Sequence, residues 1–513
     1  MKGWELFSSS LNKLGLDPVF GNPGSTELPM LRGIESYFLT LHDGLSVGMA
    51  DGLAQVSRKA SVVNLHTLPG VGNSISFIHT AKANRSPVVV TAGQQDTRHA
   101  YLEPLLYHDL MSLIGDVAKF KYEIKHASEI SHVLRRAKAI AETPPMGPVF
   151  VSFPMDIMEE ETDALPLDPD RINVNLVDPG AVKEIADAVN RSENPCVVAG
   201  SELDAFGGQD LVSELVRKIG CPMYAEPLSS RAPCDSDSPQ FSGDLPPAST
   251  LINLRLLSND LLLFVGGDIT LYPYLPSPLL EDKKLIFVST GASRRIGDSY
   301  VMNPRSFLKE LIPLVKKKGE YHRPRPSPDK SRMLRESKKF SDFYVIRRAA
   351  REFGDHVLFD ESISATLTVR EAFGYKKESY FTAKGGQLGW ALPAALGAST
   401  MRKKILVVIG DGSLMYSIQA LWTAARYSLP VKVLVLNNGS YNILKSYSRS
   451  FYPAVENKDF LRLGIGLQKM VEGFGVETRT ADRELNDLKW LREGNTPKVL
   501  IANVDSEVPK LFL

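Results

Sequence analysis

The sequence has few cysteines, no long apolar run and almost no net charge, and each absence excludes a class of protein. The three cysteines (Cys196, Cys221 and Cys234) are odd in number and lack the spacing of a metal site, which argues against structural disulfides and zinc. No apolar run reaches the roughly 20 residues that span a bilayer. A formal net charge of +1 offers no field that would attract nucleic acid or an anionic membrane. We therefore expect a reduced, cytoplasmic protein that binds neither.

The chain has 513 residues, more than a single hydrophobic core organises. Two stretches have the composition of linkers: residues 158–175 are acidic and contain proline, and residues 316–332 are basic and proline-rich. A basic run can also bind an anion, although this composition is more typical of a solvated connector. The sequence therefore predicts three domains, at residues 1–162, 178–316 and 335–513.

Short β-branched runs alternate with helical patterns in all three blocks, as in "SVVNLH", "DLLLFVGG" and "KILVVIGDG". This alternation is typical of parallel sheets, and unbroken Val/Ile/Leu runs suit strands that helices cover on both faces. The predicted fold class is α/β, with three consecutive parallel-sheet domains.

The first and last blocks share an internal echo. The segment "HTAKANRSPVVV" (79–90) matches the pattern of "WTAARYSLPVKV" (422–433) without a gap, and a Gly/Ala-rich helical stretch precedes each. We interpret the two blocks as a duplicated α/β domain. The alternative is that two generic βαβ units converged on the same pattern.

The strongest chemical signal is a pair of motifs at the ends of two successive predicted strands. "GDGS" follows the strand that ends at Gly410, and "NNGSY" follows the next strand. Because parallel strands end at the same edge of a sheet, Asp411 and Asn438 should lie close together. Carboxylate and amide oxygens suit Mg²⁺, and the helix start at Gly412 and Ser413 suits phosphate. The unit predicts a metal–diphosphate site.

These motifs resemble the signature of the thiamine diphosphate (ThDP) dependent 2-oxo acid decarboxylase and acetolactate synthase family. Further blocks, among them "VFGNPGSTELP", "NLHTLPGVGN" and "GGQLGWALPAALG", are most similar to benzoylformate decarboxylases. The resemblance covers nearly the whole chain. It implies pyrimidine-binding, middle and diphosphate-binding domains, with ThDP and Mg²⁺ held between subunits of a homodimer or homotetramer.

The resemblance also implies a role for each residue that matches a family motif. Leu388 would wedge under the cofactor and bend it, although an ordinary core leucine is the alternative. The Gly386 carbonyl would accept a hydrogen bond from the aminopyrimidine ring. The other implied residues are the Mg²⁺ ligands Asp411, Asn438 and Ser440 (through its carbonyl), and the diphosphate neighbours Ser364, Gly412, Ser413, Tyr416 and Tyr441.

Asp43 stands in "FLTLHDGLSVGMADGLAQ", where a helix cap is the simplest interpretation. The resemblance instead places it where the family keeps the glutamate that activates ThDP. Aspartate is one methylene shorter, and misplacement of about 1 Å can cost about 100-fold in rate. Three alternatives remain: a shifted helix restores the contact, a water bridges it, or the protein binds ThDP with little catalysis.

Three more polar residues are candidates for the pocket. Ser25 would face the substrate carboxylate, unless it is a helix cap completed by Thr26 or Glu27. His66, at a strand end, would donate or accept a proton, with a structural histidine as the alternative. His108 would contribute from a nearby segment, unless it is an exposed loop histidine.

Two positions depart from the benzoylformate decarboxylase pattern. Pro273 stands where those enzymes keep a histidine in the middle domain, and Thr382 stands where they keep an aromatic residue; Tyr447 and Ile443 remain on the other wall. No sequence feature predicts FAD in the middle domain.

The expected function is decarboxylation of a small 2-oxo acid to an aldehyde and CO₂, a lyase reaction that depends on ThDP and Mg²⁺. Acetolactate synthase-like carboligation of two 2-oxo acids is the alternative, favoured by the missing histidine. A weakly active ThDP-binding paralogue is a third hypothesis, favoured by Asp43 and Pro273 but opposed by the intact metal and diphosphate residues.

Overall fold

The structure is a computed structural model of the chain, and it describes residues 1–273, 279–292, 296–321, 338, 340–401, 403–505 and 507–512. The chain divides into two compact units. One comprises residues 1–172, 330–373 and 385–513, and the other comprises residues 173–329 and 374–384. No helix among the described residues is long and apolar enough to cross a membrane.

The described residues form three six-stranded sheets, and every strand pairing described is parallel. The N-terminal sheet has the order β2-β1-β3-β4-β6-β5. Its strands are β1 (Val19–Gly21), β2 (Tyr37–Leu39), β3 (Ser61–Leu65), β4 (Val88–Gln94), β5 (Lys121–Glu123) and β6 (Val149–Pro154). Its helices are α1 (Gly3–Leu14), α2 (Leu28–Leu31), α3 (Asp43–Ser57), α4 (Thr67–Ala83), α5 (Leu110–Ile114) and α6 (Ile130–Glu142).

The middle sheet has the order β12-β11-β10-β7-β8-β9. Its strands are β7 (Pro195–Ala199), β8 (Met223–Ala225), β9 (Phe241–Asp244), β10 (Leu261–Val265), β11 (Lys284–Ser289) and β12 (Asp298–Val301). Its helices are α7 (Pro179–Arg191), α8 (Glu202–Phe206), α9 (Gln209–Ile219), α10 (Ser249–Arg255) and α11 (Pro304–Leu314).

The C-terminal sheet has the order β14-β13-β15-β16-β18-β17. Its strands are β13 (Val357–Glu361), β14 (Tyr380–Phe381), β15 (Ile405–Gly410), β16 (Val431–Asn437), β17 (Glu477–Thr480) and β18 (Lys498–Asn503). The helices are α12 (Asp342–Phe353), α13 (Thr366–Phe373), α14 (Ala391–Ser399), α15 (Asp411–Met415), α16 (Ala420–Arg426), α17 (Asn442–Phe451), α18 (Leu467–Gly473) and α19 (Asp487–Arg492).

These sheets confirm the predicted fold class of three consecutive parallel α/β domains. The first and third sheets follow one pattern, in which the second strand along the chain lies beside the first and the sixth lies between the fourth and fifth. The middle sheet follows another pattern. The shared order supports the interpretation of a duplication, because the echoed segments 79–90 and 422–433 both lead into the fourth strand of their sheets.

The two predicted linkers differ in how much of them is described. Residues 162–175 of the predicted acidic linker (158–175) contain no helix or strand, as expected for a connector, whereas its first residues overlap the 3-10 helix Ile157–Glu159, in which Met158 is buried. Residues 315–321 are also without regular structure, but most of the basic linker (322–332) lies outside the described residues.

Helices α3 and α14 pack closely within the first unit, and two glycines make the close approach possible. A Cβ at Gly52 would collide with the backbone of Ala394, and one at Gly397 would collide with the backbone of Met49. Any larger residue must therefore push the helices apart. This contact joins the helix that begins with Asp43 to the helix that follows the Gly386–Leu388 turn.

Replacing Gly52 with Ala should destabilise the protein by about 1–3 kcal/mol or more, because backbone atoms cannot move aside for the new methyl group. The matched control is Gly72→Ala in α4, where a Cβ meets no heavy atom within 4 Å. That change should stabilise by about 0.5–1 kcal/mol through the unfolded chain. Thermal unfolding of both variants tests the contrast; a Gly52→Ala protein that melts at or above wild type contradicts the close contact.

Candidate functional site

A buried carboxylate organises the carboxyl edge of the N-terminal sheet. Glu27 is fully buried in the turn after β1, and its oxygens accept hydrogen bonds from the backbone N–H groups of Gly24 (2.8 Å) and Gly93 (2.9 Å). The backbone N–H of Thr67 (3.2 Å) and the hydroxyl of Thr26 (2.7 Å) also donate to it. These donors supply the hydrogen bonds that a buried carboxylate needs.

His66 follows β3 and pairs with this carboxylate. Its Nδ1 lies 2.8 Å from Oε2 of Glu27. An ionised carboxylate only accepts hydrogen bonds, so Nδ1 carries the proton and Nε2 is the nitrogen that can gain or lose one. The hydrogen bond to Glu27 raises the pKa of His66, and partial burial of the ring opposes that rise.

Asp43 lies beside this pair. It is the first residue of α3, its side chain is buried, and its Oδ1 accepts the backbone N–H of His66 at 3.3 Å. The helix cap is His42, whose Nδ1 accepts the N–H of Gly44 at 3.1 Å, so the simple cap interpretation of Asp43 is wrong. Gly70 packs directly against the Asp43 carboxylate. The structure therefore brings Asp43 and His66 together.

Ser25 and His108 are exposed residues on the same domain. Ser25 lies in the turn before α2, whose N-cap position is Glu27, so the alternative of a Ser25 cap is wrong. The carbonyl of His108 accepts a hydrogen bond from the side chain of Gln94 at 2.8 Å. Its exposure agrees with the loop alternative, and its segment contacts the site where the carbonyl of Leu106 accepts the Thr67 hydroxyl at 3.4 Å.

At the carboxyl edge of the C-terminal sheet, Asp411 and Asn438 follow the adjacent parallel strands β15 and β16. Asp411 Oδ2 accepts the N–H of Gly439 at 2.9 Å, and Asn438 Oδ1 accepts the N–H of Ser440 at 2.9 Å. Burial raises the pKa of Asp411, and backbone donors including Gly412 and Gly439 oppose it. The predicted carboxylate, amide and carbonyl ligands therefore lie within two neighbouring loops.

The predicted diphosphate neighbours follow three consecutive strands of this sheet. Ser364 lies in the 3-10 turn Ile363–Ala365 after β13, which pairs with β15. Gly412 faces the ring of Tyr441, where a Cβ would stand at 2.8 Å. Burial, and then the neighbouring Tyr416 hydroxyl, raise the pKa of Tyr441. Ser413 is buried in the first turn of α15.

Gly386 and Leu388 lie in the turn that precedes α14. Gly386 has φ +78°, and a Cβ there would meet no heavy atom within 4 Å, so its backbone borders open space. Leu388 is only half-buried. The alternative of an ordinary core leucine is therefore not supported.

Sequence reasoning missed the pairing of Glu27 with His66 and also missed Glu361, a buried acid at the end of β13. In the sequence, Glu27 shows only the pattern of a helix start. Glu27 ends a Gly-containing turn and Glu361 ends an apolar strand. Solvent-exposed acids often stand in the same positions, so neither pattern identifies a buried acid.

Replacing Glu27 with Gln should lower the pKa of His66, since the amide removes the charge that favours the imidazolium. The raised pKa means that this pair adds stability that is complete below about pH 6.5, the unfolded value. That stability is lost as the pH rises through the folded-state pKa. NMR titration of the His66 ring, assigned with His66→Gln, measures the shift. Glu129 is an acid that instead pairs with Tyr122, so Glu129→Gln is the control. Equal pKa values of His66 in wild type, Glu27→Gln and Glu129→Gln contradict the coupling.

Comparison with known protein families gives matches in all three domains. Three thiamine pyrophosphate enzyme profiles match: the N-terminal TPP binding domain at residues 1–116, the central domain at 182–311 and the C-terminal TPP binding domain at 364–501. These matches define the class, a protein with two thiamine-binding domains and a central domain between them.

Individual relatives support the same class over nearly full length. Benzoylformate decarboxylase of Pseudomonas aeruginosa is 32% identical over 502 residues, covering 92% of this chain and 93% of the relative. An acetolactate synthase large subunit of Escherichia coli, isozyme 3, is 24% identical and covers 93% and 89%. The chain belongs to the thiamine pyrophosphate enzyme family.

Solved structures are similar over almost the entire chain. Benzoylformate decarboxylase of Polynucleobacter necessarius matches with a TM-score of 0.92 and 27% identity, covering 99% of both chains. A thiamine diphosphate-dependent 4-hydroxybenzoylformate decarboxylase of Rhodococcus jostii matches with a TM-score of 0.91 and 28% identity, covering 99% of this chain and all of the other.

Proposed function

We propose that the protein is a ThDP- and Mg²⁺-dependent enzyme that decarboxylates a 2-oxo acid to an aldehyde and CO₂. The observation that carries this proposal is the group formed by Asp43, His66 and Glu27 on the N-terminal domain. It combines a buried acid with a histidine whose Nε2 can exchange a proton. The similarity to benzoylformate decarboxylases supports decarboxylation as the reaction.

The residues present fit the cofactor and its metal. Asp411, Asn438 and the Ser440 carbonyl supply hard oxygen donors of the kind Mg²⁺ prefers. Among the described residues no three His, Cys, Asp or Glu side chains form a metal-binding group, but this ligand set needs only one carboxylate. Ser364, Gly412, Ser413, Tyr416 and Tyr441 would hold the diphosphate, with Gly386 and Leu388 at the rings.

Each residue of the N-terminal group has a proposed task. When bound, ThDP supplies the electron sink that the loss of CO₂ requires. Asp43 would contact the aminopyrimidine ring through its carboxylate. His66 would deliver or remove a proton at Nε2, held in orientation by Glu27. Ser25 would bind the substrate carboxylate, and His108 would be a further proton donor if its loop moves toward the site.

The proposal includes the domain bounds 1–162, 178–316 and 335–513, and a cytoplasmic homodimer or homotetramer with active sites shared between subunits. The resemblance to the family supports this assembly. Size-exclusion chromatography with light scattering tests it, since a monomer with full activity would exclude shared sites.

Carboligation of two 2-oxo acids is the second candidate, and one observation favours it. Pro273, which is buried in the second unit, stands where benzoylformate decarboxylases keep a histidine. Without this proton donor, the protonation that yields the aldehyde would be slower, so a second 2-oxo acid would have more time to react. Thr382 in place of an aromatic residue also favours a substrate without an aryl group.

The deciding experiment measures CO₂ release from pyruvate, branched 2-oxo acids and benzoylformate, with and without ThDP and Mg²⁺. Aldehyde as the product supports the decarboxylase, whereas acetolactate or acetoin without aldehyde selects the carboligase. Bound ThDP with no turnover of any substrate would leave a ThDP-binding paralogue with little catalysis. Calorimetric titration with ThDP supplies the binding measurement.

A further inference from the structure

Glu361 ends β13, and its carboxylate lies against the turn that follows Leu388. The side chain is 2% exposed. Its Oε2 accepts the backbone N–H of Ala391 at 2.7 Å, and Oε1 accepts that of Gly389. Two backbone donors of the turn, at Gly389 and Ala391, therefore point at one buried acid.

Other contacts hold the same turn from different sides. Gly389 has φ +81°, and a Cβ there would stand 2.6 Å from Cβ of Tyr416. Trp390 is fully buried, and its Nε1 donates to Oδ2 of Asp51 at 2.7 Å. The turn cannot shift without losing one of these contacts. Glu361 is the only one of these partners that bonds to the backbone of the turn itself.

We propose that Glu361 is a positioning residue that fixes Gly386 and Leu388 relative to Ser364. The inference rests on the proposed function, in which those three residues contact ThDP. The connections are short: Gly389 directly follows Leu388, and Ser364 lies three residues after Glu361. One carboxylate thereby ties two cofactor-binding segments, which are far apart in the chain, to a common point.

The chemistry of the group explains why an acid is needed. Burial raises the pKa of Glu361 to about 7, and the backbone N–H groups of Ala391, Gly389 and Trp390 act in the opposite direction. These donors are what keeps a charge tolerable there. An amide of the same size would present an NH₂ group to one of them, which removes an acceptor and sets two donors against each other.

The alternative is that Glu361 only caps α14, whose first-turn N–H groups need acceptors. Its loss would then lower stability without changing how the cofactor binds. A control with a comparable loss of stability separates the two. Val433→Ala serves, because Val433 is 2% exposed in the interior of β16 and is not one of the predicted cofactor residues.

The test compares Glu361→Gln, Glu361→Asp and Val433→Ala in the full chain with Mg²⁺. For Glu361→Gln we expect the ThDP Kd to rise about tenfold and kcat to fall by a similar factor, the usual effect of removing a supporting contact. The KM for the 2-oxo acid should change little. The near-UV circular dichroism of bound ThDP, which reports the arrangement of its rings, should change as well.

Val433→Ala should lower the melting temperature while the Kd and the spectrum stay at their wild-type values, and Glu361→Asp should recover part of the affinity. If Glu361→Gln keeps the wild-type Kd and spectrum, the positioning role is overturned. Failure of the proposed function is a separate result, since wild-type protein would then either bind no ThDP or bind it without turning over any 2-oxo acid.

Discussion

An Asp43→Asn variant should release CO₂ from the best 2-oxo acid substrate about 1000-fold more slowly than wild type, within the range of a lost acid–base group. The amide keeps the size of the side chain, and the backbone N–H of His66 can still donate to its oxygen, so the fold should persist. Binding of ThDP should weaken little, because the metal and diphosphate residues lie on the other sheet. The comparison of kcat with ThDP affinity, measured on the same preparations, checks the prediction.

Glu35→Gln is the matched control, since Glu35 is an exposed acid of the same domain. Its kcat should equal that of wild type. An Asp43→Asn enzyme with wild-type kcat would show that this carboxylate is not the activating acid. That result would indicate that catalysis does not depend on the acid at the start of α3.

An Asp43→Glu variant decides between the alternatives for the short side chain. A gain in kcat shows that reach limits the wild-type enzyme. A loss shows that the position of α3 already compensates, since a longer side chain then overshoots. The packing of Gly70 against the Asp43 carboxylate leaves little free space on that side, so stability of this variant must be measured as well.

The second large effect is expected at Asp411. Asp411→Asn should raise the ThDP Kd in the presence of Mg²⁺ by more than about 100-fold, since even supporting residues around a metal are worth 10–100-fold. The variant removes the only charged oxygen of the predicted ligand set. At a ThDP concentration 100 times the wild-type Kd, wild type gains about 2.7 kcal/mol of stability from the ligand, and the variant should lose nearly all of it.

Thermal unfolding with and without ThDP and Mg²⁺ measures this loss directly, without any assay of turnover. Asp459→Asn is the control, because Asp459 is an exposed aspartate of the same domain. It should keep the full upward shift of the melting temperature. If the melting temperature of Asp411→Asn rises as much as that of wild type, the metal does not bind at the "GDGS" loop.

Much of this architecture follows from local sequence. The apolar runs that end at Leu65, Gly410 and Asn437 became buried strands, because continuous β-branched segments need cover on both faces. Parallel strands end at the same edge of a sheet. The proximity of Asp411 and Asn438 could therefore be predicted from the two motifs that follow successive strands. The matching strand orders of the first and third sheets likewise agree with the echo seen in the sequence.

The pairings of the acids could not be predicted in this way. Glu27 and His66 are 39 residues apart, and Glu361 and Ala391 are 30 apart. Nothing in the local pattern distinguishes these carboxylates from exposed ones, or shows that His42 and not Asp43 caps α3. Each assignment depends on which backbone N–H groups the fold brings to a buried oxygen.

The sequence by itself determined the fold class, the family resemblance and the edge of the C-terminal sheet at which Asp411 and Asn438 lie. These properties depend on residue type and spacing along the chain, which set strand burial, helix starts and turn geometry. Only the tertiary structure decided that Glu27 orients His66, that Glu361 supports the turn at Gly389, and that Gly52 lets two helices touch. The physical reason is that the effect of a buried charge or a missing Cβ depends on atoms that are distant in the chain and close in space.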